Sequence, residues 1–190
     1  MSFDSALRAL SSRAFTPAIA TFLGYLAHDR TNGEAWLYLG IAYSESGLHR
    51  DALHALHMAE LLLEENPELD EAMGVTWLRM DGLRQARRYL EQALVHLDPP
   101  PTIHRNIAMM HLQSGEPELA LQSIERSIAQ NPDDVMSLYA KTLILRACNS
   151  DQQARDYRFE LKAALKELLR RENTPPGMAR SAREQLNTLF

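Results

Sequence analysis

The chain has 190 residues, enough for one extended repeat domain or one ordinary globular domain, and its 45% hydrophobic content is that of a soluble protein. A formal charge of −5 without any long basic run disfavours a nonspecific phosphate-binding surface, so no nucleic-acid partner is expected. A lone cysteine, Cys148, excludes an internal disulfide and fits a reducing compartment, and no segment is apolar over the length needed to span a bilayer.

The opening residues MSFDSALRALSSR lack a basic flank followed by an uninterrupted apolar stretch, so no secretory signal is read there and a cytoplasmic location is expected. Phe3, Ala6, Leu7 and Leu10 are spaced as one face of a helix over 2–11. Thr16-Pro17 has the form of an N-cap followed by proline at the first helical position, which predicts a second helix over 17–28 with Ile19, Phe22, Leu23 and Leu26 on its apolar side. Next, Trp36, Leu39, Gly40 and Tyr43 fall at i, i+3, i+4 and i+7 of a helix over 34–46 that Gly47 breaks. Ala52, Leu56 and Ala59 mark its partner over 50–65, which Asn66-Pro67 is expected to end because proline cannot continue the backbone ladder.

This hairpin recurs. Moving Gly40, Tyr43, Ala52, Leu56 and Ala59 on by 34 residues gives Gly74, Trp77, Ala86, Leu90 and Ala93, within helices expected over 68–80 and 83–97. A second step gives Ala108, His111, Ala120, Ile124 and Ser127, in helices over 102–114 and 117–130, with Gly115 in the turn and Pro132 as the stop. Pro99-Pro100-Pro101 falls at the turn between repeats and reads as a rigid loop. A third step reaches Thr142, Leu145, Asn149 in the turn and Ala154, while Lys141 and Arg158 replace expected apolar residues. This last unit, with helices near 134–147 and 151–172, is degenerate as end repeats are, and Leu161, Leu165, Leu168 and Leu169 form the inward stripe of a long charged helix suited to capping. After Asn173-Thr174-Pro175-Pro176-Gly177, an amphipathic helix over 178–189 carries Met178, Ala182, Leu186 and Leu189, and Phe190 ends the chain.

The order W-x2-L-G-x2-Y, A-x3-L-x2-A and proline closely resembles the tetratricopeptide repeat. The resemblance is strong over 33–132, weaker outside it, and covers nearly the whole chain. It implies an all-α fold, a right-handed superhelix (α-solenoid) of about four to five helical hairpins plus a C-terminal helix. The expected domains are a solenoid over 1–173, with units near 2–30, 33–66, 67–100, 101–134 and 135–172, and a proline-rich turn and helix over 174–190.

In proteins of this kind the first helices line a concave surface where partners bind. The positions that the packing motif leaves free are Leu37, Ile41 and Ser44; Glu71, Val75 and Leu78; Arg105, Met109 and Leu112; and Tyr139, Leu143 and Arg146. The central row, Ile41, Val75, Met109 and Leu143, is apolar throughout, where a purely solvated groove would carry polar residues. It reads either as a groove for an apolar peptide or amphipathic helix, with Met109 adaptable, or as core packed against a neighbouring helix or the 178–189 helix. Some members of the family hold chaperone C-termini with a two-carboxylate clamp. Its positions here carry Leu37, Ile41, Ala72, Thr102 and Asn106, or, one repeat along, Glu71, Val75, Asn106, Met136 and Ala140, so only an asparagine matches and that activity is rejected.

His54 and His57, with His49 before them and Glu60 a turn after, are off the packing stripe of their helix and read as exposed rather than as a closed metal site. His104 and His111 replace Trp36 and Tyr43 and read as packed aromatic substitutes. Arg84, Arg87 and Arg88 read as a solvated face, and so do the carboxylate runs. No nucleophile motif, phosphate loop or dinucleotide fingerprint is found, and no cofactor is expected. The resemblance implies a non-catalytic adaptor or scaffold that binds another protein through the groove. Alternatives are a secretion-type chaperone holding apolar segments of exported proteins, and a metal-dependent enzyme using the histidines. The 178–189 helix is the candidate contact for a homo-oligomer.

Overall fold

The structure is a computed structural model and describes residues 2–148 and 157–189. Among these residues all regular structure is helical. The chain divides into two compact units, Met1–Pro100 and Pro101–Phe190. The division falls within Pro99-Pro100-Pro101, where no helix forms.

The first unit holds α1 (Phe3–Ser11), α2 (Phe15–Leu26), α3 (Gly33–Glu45), α4 (His49–Glu60), α5 (Pro67–Arg79) and α6 (Leu83–Val95). Each helix packs on the next, and α3 also lies beside α1 and α5. Its first hairpin is closed by aromatic rings, with Phe3 5.9 Å from Phe22 and 5.6 Å from Tyr25, and Phe22 stacked on Tyr38 of α3. The second unit holds α7 (Ile103–Gln113), α8 (Pro117–Gln130), α9 (Val135–Cys148), α10 (Arg158–Arg170) and α11 (Pro176–Thr188), packed in chain order with α7 also beside α9.

The repeat is written in the backbone. Arg13, Gly47, Asp81 and Gly115, each 34 residues after the last, are the described residues with positive φ, between 59° and 80°. After each, an amide closes the helix end by bonding a carbonyl five residues back: Ala14 to Ala9, Leu48 to Tyr43, Gly82 to Trp77 and Glu116 to His111, at 2.8–2.9 Å. This is the Schellman arrangement, which satisfies a terminal carbonyl and reverses the chain. Within the hairpins, a Cβ on Gly40 would stand 2.6 Å from Cγ and Cδ2 of Leu56, and one on Gly74 2.7 Å from Cγ of Leu90. The missing side chains let each second-helix leucine rest on the first helix's backbone. In the second unit Ala108 and Ile124, both fully buried, hold these two places.

Helix starts follow local chemistry. Asn32 Oδ1 accepts from the Ala35 amide at 2.8 Å, and Asn66 Oδ1 from the Leu69 amide at 2.9 Å. Asn66-Pro67 was expected to end α4. It instead begins α5, because an asparagine oxygen satisfies an open amide and proline at the first helical position has none to satisfy. The second helix of that hairpin therefore ends at Glu60 and not at 65. Similarly, α2 starts at Phe15 with Ala14 as its N-cap, so Thr16-Pro17 lies inside the first turn and Thr21 Oγ1 donates to the Pro17 carbonyl at 2.8 Å.

At the far end, the expected helix over 151–172 is seen as α10 from Arg158; its expected start, Asn149, Ala154 and Phe190 lie outside the described residues. The final helix begins two residues before the expected 178. Its Met178, Ala182, Leu186 and Leu189 pack with Leu161, Leu165 and Leu168 of α10. The apolar face of this helix lies against the chain's own α10, with Ala182 buried and Met178, Leu186 and Leu189 half-buried, because the α10 leucines need a second apolar layer.

Candidate functional site

In the first unit the predicted groove positions are on α3 and α5, which lie side by side. Leu37 is not at a surface: it is 1% exposed, packed with Leu56, Ala59, Leu69, Met73 and Tyr89, because α3 is enclosed by helices on several sides. Ile41 is half-buried at the margin of that cluster, and Glu71, Val75 and Leu78 are half-buried on α5. Ser44 is also buried. Its hydroxyl accepts from Arg79 Nη1 at 2.9 Å and is hydrogen-bonded to Thr76 Oγ1 at 3.0 Å, while Arg79 pairs with Glu45. Ser44 is therefore a strut between the C-terminal ends of α3 and α5. Thr76, Arg79 and Glu45 were missed by sequence reasoning, yet a signal exists: Glu45 and Arg79 are one 34-residue period apart, so neighbouring first helices bring opposite charges together.

In the second unit the positions are on α7 and α9. Met109 and Leu112 are half-buried against Ala108, Ala120, Ile124, Ala140, Ile144 and Cys148. Leu143 is half-buried, Tyr139 packs on the cluster around Leu161 and Leu165, and Arg146 is exposed. Arg105 is engaged within the unit, donating from Nη1 to Asp134 Oδ2 at 2.6 Å. Asp134 also accepts from Ser137 Oγ at 2.6 Å and from the Met136 amide at 3.1 Å. Burial opposes its ionisation, but the Ser137 and Met136 hydrogen bonds and the Arg105 charge outweigh it and hold its carboxyl below the ordinary value. What remains toward solvent is Ile41, Glu71, Val75 and Leu78 in the first unit, and Met109, Leu112, Leu143 and Arg146 in the second.

The other reactive side chains are engaged locally. His57 Nδ1 is 3.1 Å from Glu60 Oε2, both exposed, and His54 is also exposed, with its ring edge toward Trp36. His111 Nδ1 is 2.6 Å from Glu116 Oε2, and burial together with the Arg126 charge lowers the pKa of His104. Burial pushes the Cys148 thiol up, away from the thiolate a nucleophile needs. Asp70 at the start of α5 is raised by burial, an effect His96, 3.0 Å away, only partly offsets. Among the described residues no group of three or more His, Cys, Asp or Glu is placed to hold a metal ion, and no helix is long and apolar enough to cross a membrane.

No protein-family profile matches the chain, and no curated protein does. Solved structures do. The chain is similar to MamA, with 21% identity and a TM-score of 0.64 over 89% of this chain and 88% of that one. It is similar to YrrB, described as a TPR protein with an unusual peptide-binding site, at 16% identity and 0.62, covering 94% and 88%. It is also similar to pilF of Pseudomonas aeruginosa, at 17% identity and 0.68, covering 98% and 89%. The chain has a tetratricopeptide-type α-solenoid fold.

Proposed function

We propose that the protein is a non-catalytic interaction scaffold that binds an apolar peptide or amphipathic helix of another protein on its first helices. One observation carries the reading. Ile41, Val75 and Leu78 in the first unit, and Met109, Leu112 and Leu143 in the second, are apolar residues that stay partly open to solvent on the first helices. Their recurrence at the same places in successive repeats makes a row, and apolar rows open to solvent mark surfaces that another chain covers. The methionine adds adaptability to differing side chains. The peptide-binding site attributed to the similar YrrB is in keeping with this reading. The repeat frame 1–173 supplies the binding helices, and the helix after the proline-rich turn of 174–190 packs on α10. The buried lone Cys148 supports a reducing, cytoplasmic setting.

The test compares wild type with the Val75→Glu, Met109→Glu double variant in affinity purification from native extract, bound proteins being identified by mass spectrometry. Each bound protein is then re-tested in purified form. The expected result is a direct partner lost in the variant while circular dichroism and melting stay near wild type. A partner retained by the folded variant overturns the assignment of these rows.

A further inference from the structure

The helix α4 stops at Glu60 with an apolar run, Leu61-Leu62-Leu63, still to come. Leu63 turns inward against the core of the first unit, but Leu61 is 79% exposed and Leu62 41%. One period after Leu61, Val95 at the end of α6 is 81% exposed; His96 stands in the place of Leu62, and Leu97, in the place of the inward Leu63, is wholly exposed. Both helix ends lie near Asp70 in the first turn of α5. Glu60 acts electrostatically on both Asp70 and Tyr89, and Asp70 Oδ2 is 3.0 Å from His96 Nε2.

The fold does not require large apolar residues there. At the places of Leu61 and Val95 the flanking repeats carry Ala27 and Ala129, both exposed. Glu64, Glu65 and Asp98 are exposed carboxylates at this edge, and Glu60 and Glu91 beside them are paired with His57 and Arg87. No lysine or arginine occurs from 51 to 78 or from 89 to 104. On α6, Arg87 lies 3.9 Å from Glu91 and Arg88 is stacked 4.3 Å over the Tyr89 ring. Large apolar side chains set beside exposed carboxylates, in stretches without lysine or arginine, select a ligand with the opposite charge and matching apolar spacing.

We propose that this edge docks a cationic amphipathic helix of a partner protein, its apolar face on Leu61, Leu62, Val95 and Leu97 and its lysines or arginines against the carboxylates. This surface is separate from the first-helix rows of the proposed function. The probe is a synthetic helix of about 18 residues with leucine on one face and lysine on the other, against a leucine/glutamate counterpart. Binding to the full chain is followed by fluorescence anisotropy. The site is mapped by amide chemical shifts.

The leucine/lysine helix is expected to bind, shift residues 61–65 and 95–98, and weaken as salt rises from about 0.05 to 0.5 M. Leu61→Ser with Val95→Ser should weaken it at least about tenfold, as should Glu64→Gln with Glu65→Gln and Asp98→Asn. Leu119→Ser, an exposed leucine elsewhere, and Val75→Glu with Met109→Glu should leave it unchanged. The serine variants alter exposed residues, so their circular dichroism should match wild type. Equal binding of both helices, shifts confined elsewhere, or indifference to the edge variants overturns the proposal. So does a concentration-dependent dimer that Leu61→Ser with Val95→Ser abolishes, because the occupant is then a second copy.

Discussion

Replacing Gly40 by alanine sets two effects against each other. In a helix interior alanine is favoured over glycine by about 1 kcal/mol. Here the new Cβ would be 2.6 Å from both Cγ and Cδ2 of Leu56 and 3.3 Å from the Ala52 carbonyl oxygen. Carbon atoms in contact prefer about 3.5–4.0 Å, so Leu56 must recede by about 1 Å. It is fully buried, with Ala59, Met73 and Tyr89 in the same cluster, so it can recede only by displacing packed neighbours. Overpacking of this kind costs about 1–3 kcal/mol, so the net effect is a destabilisation of up to about 2 kcal/mol. In a Leu56→Ala background, itself costing about 2–5 kcal/mol, the obstruction is gone and the same Gly40→Ala change should stabilise by about 1 kcal/mol. The assay is urea denaturation of the four proteins of the cycle, followed by circular dichroism. A reversal of sign between backgrounds is expected. A rise in midpoint for Gly40→Ala alone, or equal shifts in both backgrounds, would refute the close-approach account.

Gly47 has φ +80° and nothing within 4 Å of the place a Cβ would occupy, so Gly47→Ala should cost only the left-handed backbone term, about 1–2 kcal/mol, and denaturation midpoints should show no dependence on neighbouring side chains. Arg13, at φ 60° without being glycine, should behave oppositely, with Arg13→Gly raising stability by up to about 1 kcal/mol less the stacking of its guanidinium on Phe15. For Asp134, a folded-state pKa held below the unfolded value means that its stabilisation is complete above an unfolded pKa of about 3.9 and is lost as pH falls through the lower folded value. Asp134→Asn should therefore be less stable than wild type at neutral pH, with the gap closing below about pH 3.9; a gap independent of pH would show that the carboxylate's charge is not what matters.

The period, the pairing of helices into hairpins and the close-packed positions Gly40 and Gly74 were legible because each repeats a local physical demand at a fixed spacing. The end of α4 was not. Leu61, Leu62 and Leu63 continue an apolar helical pattern, and only the competing claim of Asn66 as a cap for the next helix pulls the chain out of it. Thr16-Pro17 misled in the same way, since the motif that begins a helix also fits inside a first turn. Among the groove positions, Ile41, Val75, Met109 and Leu143 came out half-buried, while Leu37 and Ser44 came out inside. A first helix touched on several sides has no single apolar stripe, so its sequence does not distinguish a side facing a neighbour from one facing solvent. Ser44 was a polar residue in a column with Leu78 and Leu112, a mismatch that its bond to Arg79 explains.

The recurrence of one backbone state at Gly47 and Asp81 makes the chain separable into interchangeable lengths. A cassette running from 47 to 80 begins at a left-handed residue and is followed by another, so a duplicate inserted before Asp81 would meet the same dihedral angles and the same amide-to-carbonyl closure at both joints. Lengthening the array by one repeat is, at its junctions, a change of count and not of geometry.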